Sequence, residues 1–174
     1  MDICQSFTHI SPSTLSDNIF DLIGKDWMLI TAGDPQNGKV NIMTASWGCM
    51  GILWNKPVGV CFIRPQRYTY GFAEATDTLT FSFFTEDYRK ALQYCGSHSG
   101  RDVDKFQASG LSVAKTEDGV PYVAEARLVL VCRKLYADDL KEGCFLDPNL
   151  LSNYKAKDYH RFYICEITDV LVRE

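Results

Sequence analysis

The chain has 174 residues, of which 46% are hydrophobic and 23% charged. That length and composition predict one globular domain spanning 1–174, able to bury about two thirds of its unfolded surface. A net charge of −4 lacks the basic surface that a nucleic-acid partner requires, and no apolar run is long enough to span a bilayer. The first residues, "MDICQSFTHISPS", show neither a basic nor an apolar leader region, so the expected location is the cytoplasm. The seven cysteines form no CxxC and no metal-ligand spacing. Cys61, Cys132 and Cys165 fall in apolar runs where a free thiol packs as a small hydrophobe.

In chain order, Trp27–Ala32 and Val40–Ala45 read as two strands joined by "DPQNGK", where Asn37-Gly38 suits a hairpin turn. "MTASWGCMG" (43–51) reads as a strand end that turns through Gly48 and Gly51. "VGVCFI" (58–63) and "TLTFSFF" (78–84) are further strands, the latter with Leu79, Phe81 and Phe83 on one face. Between them a helix is expected to start near Gln66, after Pro65. A second helix begins at a Thr85 cap, repeats Tyr88, Ala91, Leu92 and Cys95 at helical spacing, and stops at Gly96. A third helical piece runs through "RDVDKFQASG" to Gly110. The strands 126–136 and 161–172 complete a mainly β chain of six or seven strands. A β-barrel with α additions, made of mostly antiparallel strands, is the predicted architecture.

The sequence contains no P-loop, GxGxxG, GxSxG or HExxH motif, and its three histidines are too scattered for a metal ligand set. Cys95 and His98 are the nearest Cys/His pair, for which a helix-end histidine is the plain reading. Three polar clusters remain. Thr44, Ala45, Ser46 and Trp47 are small or flat residues that let a planar ligand approach main-chain N–H groups. In "IRPQRYT" (63–69), Arg67 can fork onto an anion and Thr69 can donate a hydroxyl, with the helix after Pro65 favouring the same charge. Arg64 can pair with a carboxylate instead. In "CGSHSGRDVDKF" (95–106), backbone donors with Arg101 and Lys105 can wrap an anion, or Asp102 and Asp104 can cap and neutralise those two cations. One ligand with a flat ring and a phosphate would account for all three.

The segments "NIMTASWGCMGILWNKPVGVCFIRPQRYT", "FSFFTEDYRKAL" and "CGSHSGRDVDKF" resemble, in order and spacing, the flavoredoxin branch of the flavin reductase-like proteins. The resemblance implies a six-stranded antiparallel FMN-binding split barrel with inserted helices, forming a homodimer with FMN at or near the subunit interface. It also implies that Arg67, Tyr68 and Thr69 surround the FMN phosphate. Thr44, Ala45, Ser46 and Trp47 would then run along the isoalloxazine and ribityl chain, and Ser99, Gly100, Arg101 and Lys105 would close the site. Reductase partners of two-component monooxygenases commonly carry "PP" after the small-residue segment, whereas this chain has "NKP".

The implied activity is an FMN oxidoreductase using NAD(P)H as electron donor, with no catalytic side-chain acid or base. Backbone N–H groups near Ala45–Trp47, helped by Lys105, would stabilise charge on the reduced ring. An FMN-binding electron carrier served by a redox partner protein, without NAD(P)H activity, is the alternative. A non-enzymatic barrel holding another planar or phosphorylated ligand is the third reading.

Overall fold

A computed structural model describes residues 6–173. Its framework is a single antiparallel ladder in the order β3-β2-β6-β9-β10-β5-β4. These strands are β2 (Met28–Gly33), β3 (Val40–Ala45), β4 (Gly48–Leu53), β5 (Lys56–Ile63), β6 (Thr78–Phe83), β9 (Leu128–Asp139) and β10 (Arg161–Val172). A short β1 (Thr8–Ile10) adds to β10, while β7 (Val113–Lys115) and β8 (Pro121–Val123) form a separate two-stranded ribbon. Among the described residues no hydrogen-bonded pair joins β3 to β4. The barrel is therefore split at the corner Ser46–Trp47, where the chain passes from one end of the ladder to the other.

Alternation sets the two faces. Met28, Ile30 and Ala32 on β2, with Leu79, Phe81 and Phe83 on β6, point into the barrel together with Cys61, Cys132, Tyr163 and Cys165. The three cysteines are fully buried, and burial raises all three thiols, consistent with their packing as small hydrophobes. Leu29, Ile42 and Val129 face the other way, under a helix and the β7–β8 ribbon. The two long strands β9 and β10 change register at Ile164/Cys165 and at Ile167/Asp169, irregularities that help a sheet curl into a barrel.

The expected hairpin is present: Asp34 N–H donates to Lys39 O at 2.8 Å, and Gly38 takes φ +69°. Several expected boundaries move. Trp27 has φ +69° and lies outside β2, its ring under the Arg89 guanidinium at 4.4 Å. Gly48 and Gly51, expected as a turn, lie in strand β4. It forms a hairpin with β5 through Trp54 and Asn55, both at positive φ as a two-residue turn requires.

After one short helical turn, α1 (Ile19–Asp21), helix α2 (Tyr68–Ala75) starts two residues later than expected. A tight turn from Arg64 O to Arg67 N–H comes first, and Arg67 is extended at φ −69°, ψ 135° as the cap residue. Helix α3 (Arg89–Ser97) follows a 3-10 turn at Glu86–Tyr88. Thr85 gives that turn no side-chain cap, and Gly96 lies within the helix, which ends at His98. The third helical piece shrinks to α4 (Lys105–Ser109), capped by Asp104, which accepts from Gln107 N–H. Among the described residues, no helix is long and apolar enough to cross a membrane.

Candidate functional site

The start of α2 and the loop after α3 meet around a cavity of about 180 Å³. Arg67, Arg101 and Lys105 line it with Tyr68, Thr69 and Ser99, and no carboxylate does. Lys105 is buried, and its Nζ donates to Ile42 O at 2.9 Å and Cys95 O at 2.7 Å. Arg67 Nη1 donates to Gly96 O at 3.1 Å, whereas its Nη2 is buried without a hydrogen-bond partner. Both cations thus sit on carbonyls of the last turn of α3, groups that lack intrahelical partners and attract positive charge. Those carbonyls position the cations without neutralising them. Burial, and then repulsion from Arg67, pushes Lys105 down to about 8; burial also lowers Arg67.

The surrounding contacts fix this geometry. Asn41, buried on β3, donates to Thr69 Oγ1 at 2.8 Å. Gly100 packs so tightly on Asn41 that a Cβ there would come within 2.2 Å of the Asn41 amide oxygen, which only glycine avoids. Arg101 donates to Gln66 O at 3.0 Å and lies 5.1 Å from the Tyr68 ring centroid, while Ser99 Oγ accepts from Arg101 N–H. Asp104 caps α4 and Lys105 bonds backbone carbonyls, so the alternative in which Asp104 neutralises Lys105 is not the one seen. Cys95 is buried with its thiol pushed up, and His98 stacks on Tyr94 at 3.9 Å. They form no nucleophile–base pair.

A second cavity of about 220 Å³ lies at the split, between the end of β3 and the end of β5. It is lined by Met43, Thr44, Ala45, Ser46 and Trp47, with Phe62, Arg64 and His160, and it shares Arg67 with the anion cavity. The Thr44 hydroxyl donates to Leu92 O at 2.5 Å, so its side chain holds α3 and offers no donor to a ligand. Ser46 and Trp47 fall between the last β3 pair and the first β4 pair, leaving their N–H groups outside the ladder. Lys105 lines the first cavity and not this one.

Arg64 is engaged elsewhere. It donates to Asp158 and to Asn153 O, and its guanidinium stands 5.1 Å from the Tyr154 ring centroid. Met43, Phe62 and His160 line the cavity without having been assigned to the site, and His160 is the polar one. It is buried 5.3 Å from Trp47 between ring centroids, with Nδ1 2.7 Å from the Tyr154 hydroxyl. Burial, then the Arg64 charge, pushes it down to about 4, so its imidazole is neutral at pH 7. The one sequence signal was its place immediately before the apolar run of β10.

The donor set fits a phosphorylated planar cofactor. A buried orphan guanidinium nitrogen and a second unneutralised cation stand on one side, and a flat cavity edged by free amides on the other. Among curated proteins, none matches this sequence. Solved structures share its fold. One is an FMN-binding domain of a flavin reductases-like enzyme from Shewanella baltica (TM-score 0.70, 16% identity, covering 97% of this chain and 78% of that one). Another is flavoredoxin of Desulfovibrio vulgaris (TM-score 0.66, 22% identity, 92% and 76%). A third is an NADH:FAD oxidoreductase from Streptomyces globisporus in complex with NAD and FAD fragments (TM-score 0.63, 18% identity, 86% and 74%). A family model for the flavin reductase like domain matches residues 21–174, and the chain belongs to that family.

Proposed function

We propose that this protein binds FMN across the two cavities and works as an oxidoreductase, passing electrons between a nicotinamide nucleotide or redox partner and the flavin. The observation that carries the reading is the pair Arg67–Lys105: a half-buried and a buried cation facing one cavity with no carboxylate in its lining, and with one buried guanidinium nitrogen unbonded. Arg67, Lys105 and Arg101 would hold the phosphate, with Thr69, Ser99 and the start of α2 as donors. Tyr68 and Gly100 would form the wall that brings α2 against the loop. The ring would lie beside Thr44–Trp47, where the amides of Ser46 and Trp47 would donate to it. FMN, when bound, supplies one- and two-electron chemistry, so no side-chain acid or base is needed for that transfer.

An absorption spectrum of the freshly purified protein, followed by addition of FMN and then NADH or NADPH without oxygen, tests the reading. A bound-flavin spectrum that bleaches with a nicotinamide nucleotide is the expected result. Bound flavin that stays oxidised with both nucleotides would leave an electron carrier served by a partner protein. No flavin uptake would remove the reading. The cysteines among the described residues are unpaired, which suits the reducing cytoplasm we assign to the chain.

The same reading includes a homodimer. Outside the barrel, rings run from Trp54 to Tyr136 to Phe162 to Phe62 with centroids 6.5, 6.1 and 6.1 Å apart. Trp54 and Tyr136 there are 54% and 47% exposed, large rings to leave in water. Phe62 also lines the second cavity, so a partner on this face would adjoin the cofactor. Trp54→Asp is expected to convert a dimer to a monomer at micromolar concentration in sedimentation velocity. A variant that stays dimeric would assign the interface elsewhere.

A further inference from the structure

Asn41 lines neither cavity, and the phosphate and ring assignments give it no contact with a ligand. It is buried on β3, opposite Ala32 of β2, and the next residue, Ile42, lends its carbonyl to Lys105. A buried amide is costly unless its polar groups find partners. The nitrogen of this one donates to Thr69 Oγ1 at 2.8 Å. Its oxygen is turned to the loop after α3, where a Gly100 side chain would project, and Tyr68 Cδ1 lies 2.9 Å from that same position. One side chain of the sheet therefore touches both walls of the anion cavity, the start of α2 and the loop that carries Ser99, Gly100 and Arg101.

The contact fixes the polarity of a hydroxyl. Thr69 is buried and lines the cavity as the second residue of α2. A hydroxyl has one hydrogen to give and two lone pairs to receive with. Because Asn41 donates, it occupies a lone pair of Thr69 Oγ1 and leaves the hydrogen available. Among the described residues no carbonyl or carboxylate accepts that hydrogen. The remaining direction is the cavity, which Arg67 also lines with an unpartnered Nη2. An acid at position 41 would reverse the arrangement, since a carboxylate accepts and would draw the hydrogen to itself.

Two donors without protein acceptors, one cationic and one neutral, suit the oxygens of a phosphate monoester. We propose that Asn41 is a positioning residue for the phosphate: its amide holds the Thr69 hydroxyl as a donor into the cavity and so favours FMN over riboflavin, which has the same ring and no phosphate. The ligand named here rests on the flavin reading; the polarity of the hydroxyl rests on the Asn41–Thr69 contact alone.

Fluorescence titration of the whole protein with FMN and with riboflavin, and calorimetric titration with inorganic phosphate, test this. Asn41→Leu keeps the side-chain volume and removes the donor. It is expected to weaken FMN about three- to tenfold and riboflavin less than about twofold. Thr69→Val should weaken FMN about tenfold, and in that background Asn41→Leu should cost nothing further. Thr69→Ser keeps the hydroxyl and should keep both the affinity and its dependence on Asn41. Asn41→Asp should cost FMN more than Asn41→Leu does, by capturing the hydrogen and adding a like charge, and less of that cost should remain in Thr69→Val. This last pair gives the same test if leucine at position 41 prevents folding.

Equal losses for FMN and riboflavin would make Asn41 a structural residue and overturn the proposal. So would an Asn41 effect that persists undiminished in Thr69→Val, or FMN binding indifferent to Asn41. If the protein takes up no flavin but inorganic phosphate binds with the same dependence on Asn41 and Thr69, the hydroxyl assignment stands and the flavin reading falls. Binding of neither would overturn both.

Discussion

Replacing Arg67 with alanine is expected to weaken FMN binding between tenfold and a hundredfold while leaving the flavin-free protein within about 1 kcal/mol of wild type. A hydrogen bond to a charged group contributes about 1.5–3 kcal/mol, and each 1.4 kcal/mol is a factor of ten. The Arg67 nitrogen available for the phosphate is the one with no partner now, so the affinity loss draws on a contact that the empty protein does not make. Two opposing terms keep folding stability nearly level. The variant loses the Arg67 bond to Gly96 O, which helps cap α3. It also relieves a partly buried charge and its repulsion of Lys105. Arg67→Lys should not restore affinity, because an ammonium cannot hold Gly96 O and fork onto a phosphate together.

Flavin fluorescence titration gives the affinity and thermal unfolding of the flavin-free protein gives the stability. Wild-type affinity in the alanine variant would take Arg67 out of the phosphate site. A large fall in the melting temperature would show that Arg67 is structural and the affinity loss indirect.

The strand pattern and the convergence of the candidate segments were legible in the sequence. The β6 alternation of Leu79, Phe81 and Phe83 appears in the structure as one inward face because successive side chains of a strand point to opposite faces; Thr80 and Ser82, on the other face, are buried too. β4 was hidden for the same reason in reverse. It is an edge strand with two glycines, most of it is exposed, and it carries no buried alternation to read. The candidate residues Arg67, Thr69, Arg101 and Lys105 lie in segments that the fold brings together around one cavity. Charge and motif order suggested that convergence. What the side chains do individually was not legible. Lys105 bonds backbone carbonyls where an acidic neighbour was an equal candidate, and the Thr44 hydroxyl turns to α3. Tyr154 and His160 went unread because 140–160 has no hydrophobic period, only short 3-10 turns placed by tertiary contacts.

Lys105 should give FMN affinity an alkaline limit and the empty protein the opposite trend. Its folded value is near 8, below the ordinary 10.5 that it keeps when unfolded. Below pH 8 both states hold the proton, and the cost of burying the charge, on the order of 3 kcal/mol, is fully present. Between about 8 and 10.5 the unfolded chain binds the proton and the folded one does not, so stability of the flavin-free protein rises with pH across that window. FMN binding runs the other way. A phosphate prefers the protonated lysine, so above pH 8 binding must take up a proton, and affinity falls by as much as tenfold per pH unit. Below about 6 the phosphate itself gains a proton and loses charge, which weakens binding from the acid side. Affinity should therefore peak between about 6 and 8. In Lys105→Met the alkaline limb should flatten, affinity at pH 7 should drop at least tenfold, and the rise in flavin-free stability from pH 8 to 10 should disappear. A wild-type limb that survives in Lys105→Met would place the titrating group elsewhere. A limb that vanishes together with the stability trend would tie both to the one amine that sits between Ile42 O and Cys95 O.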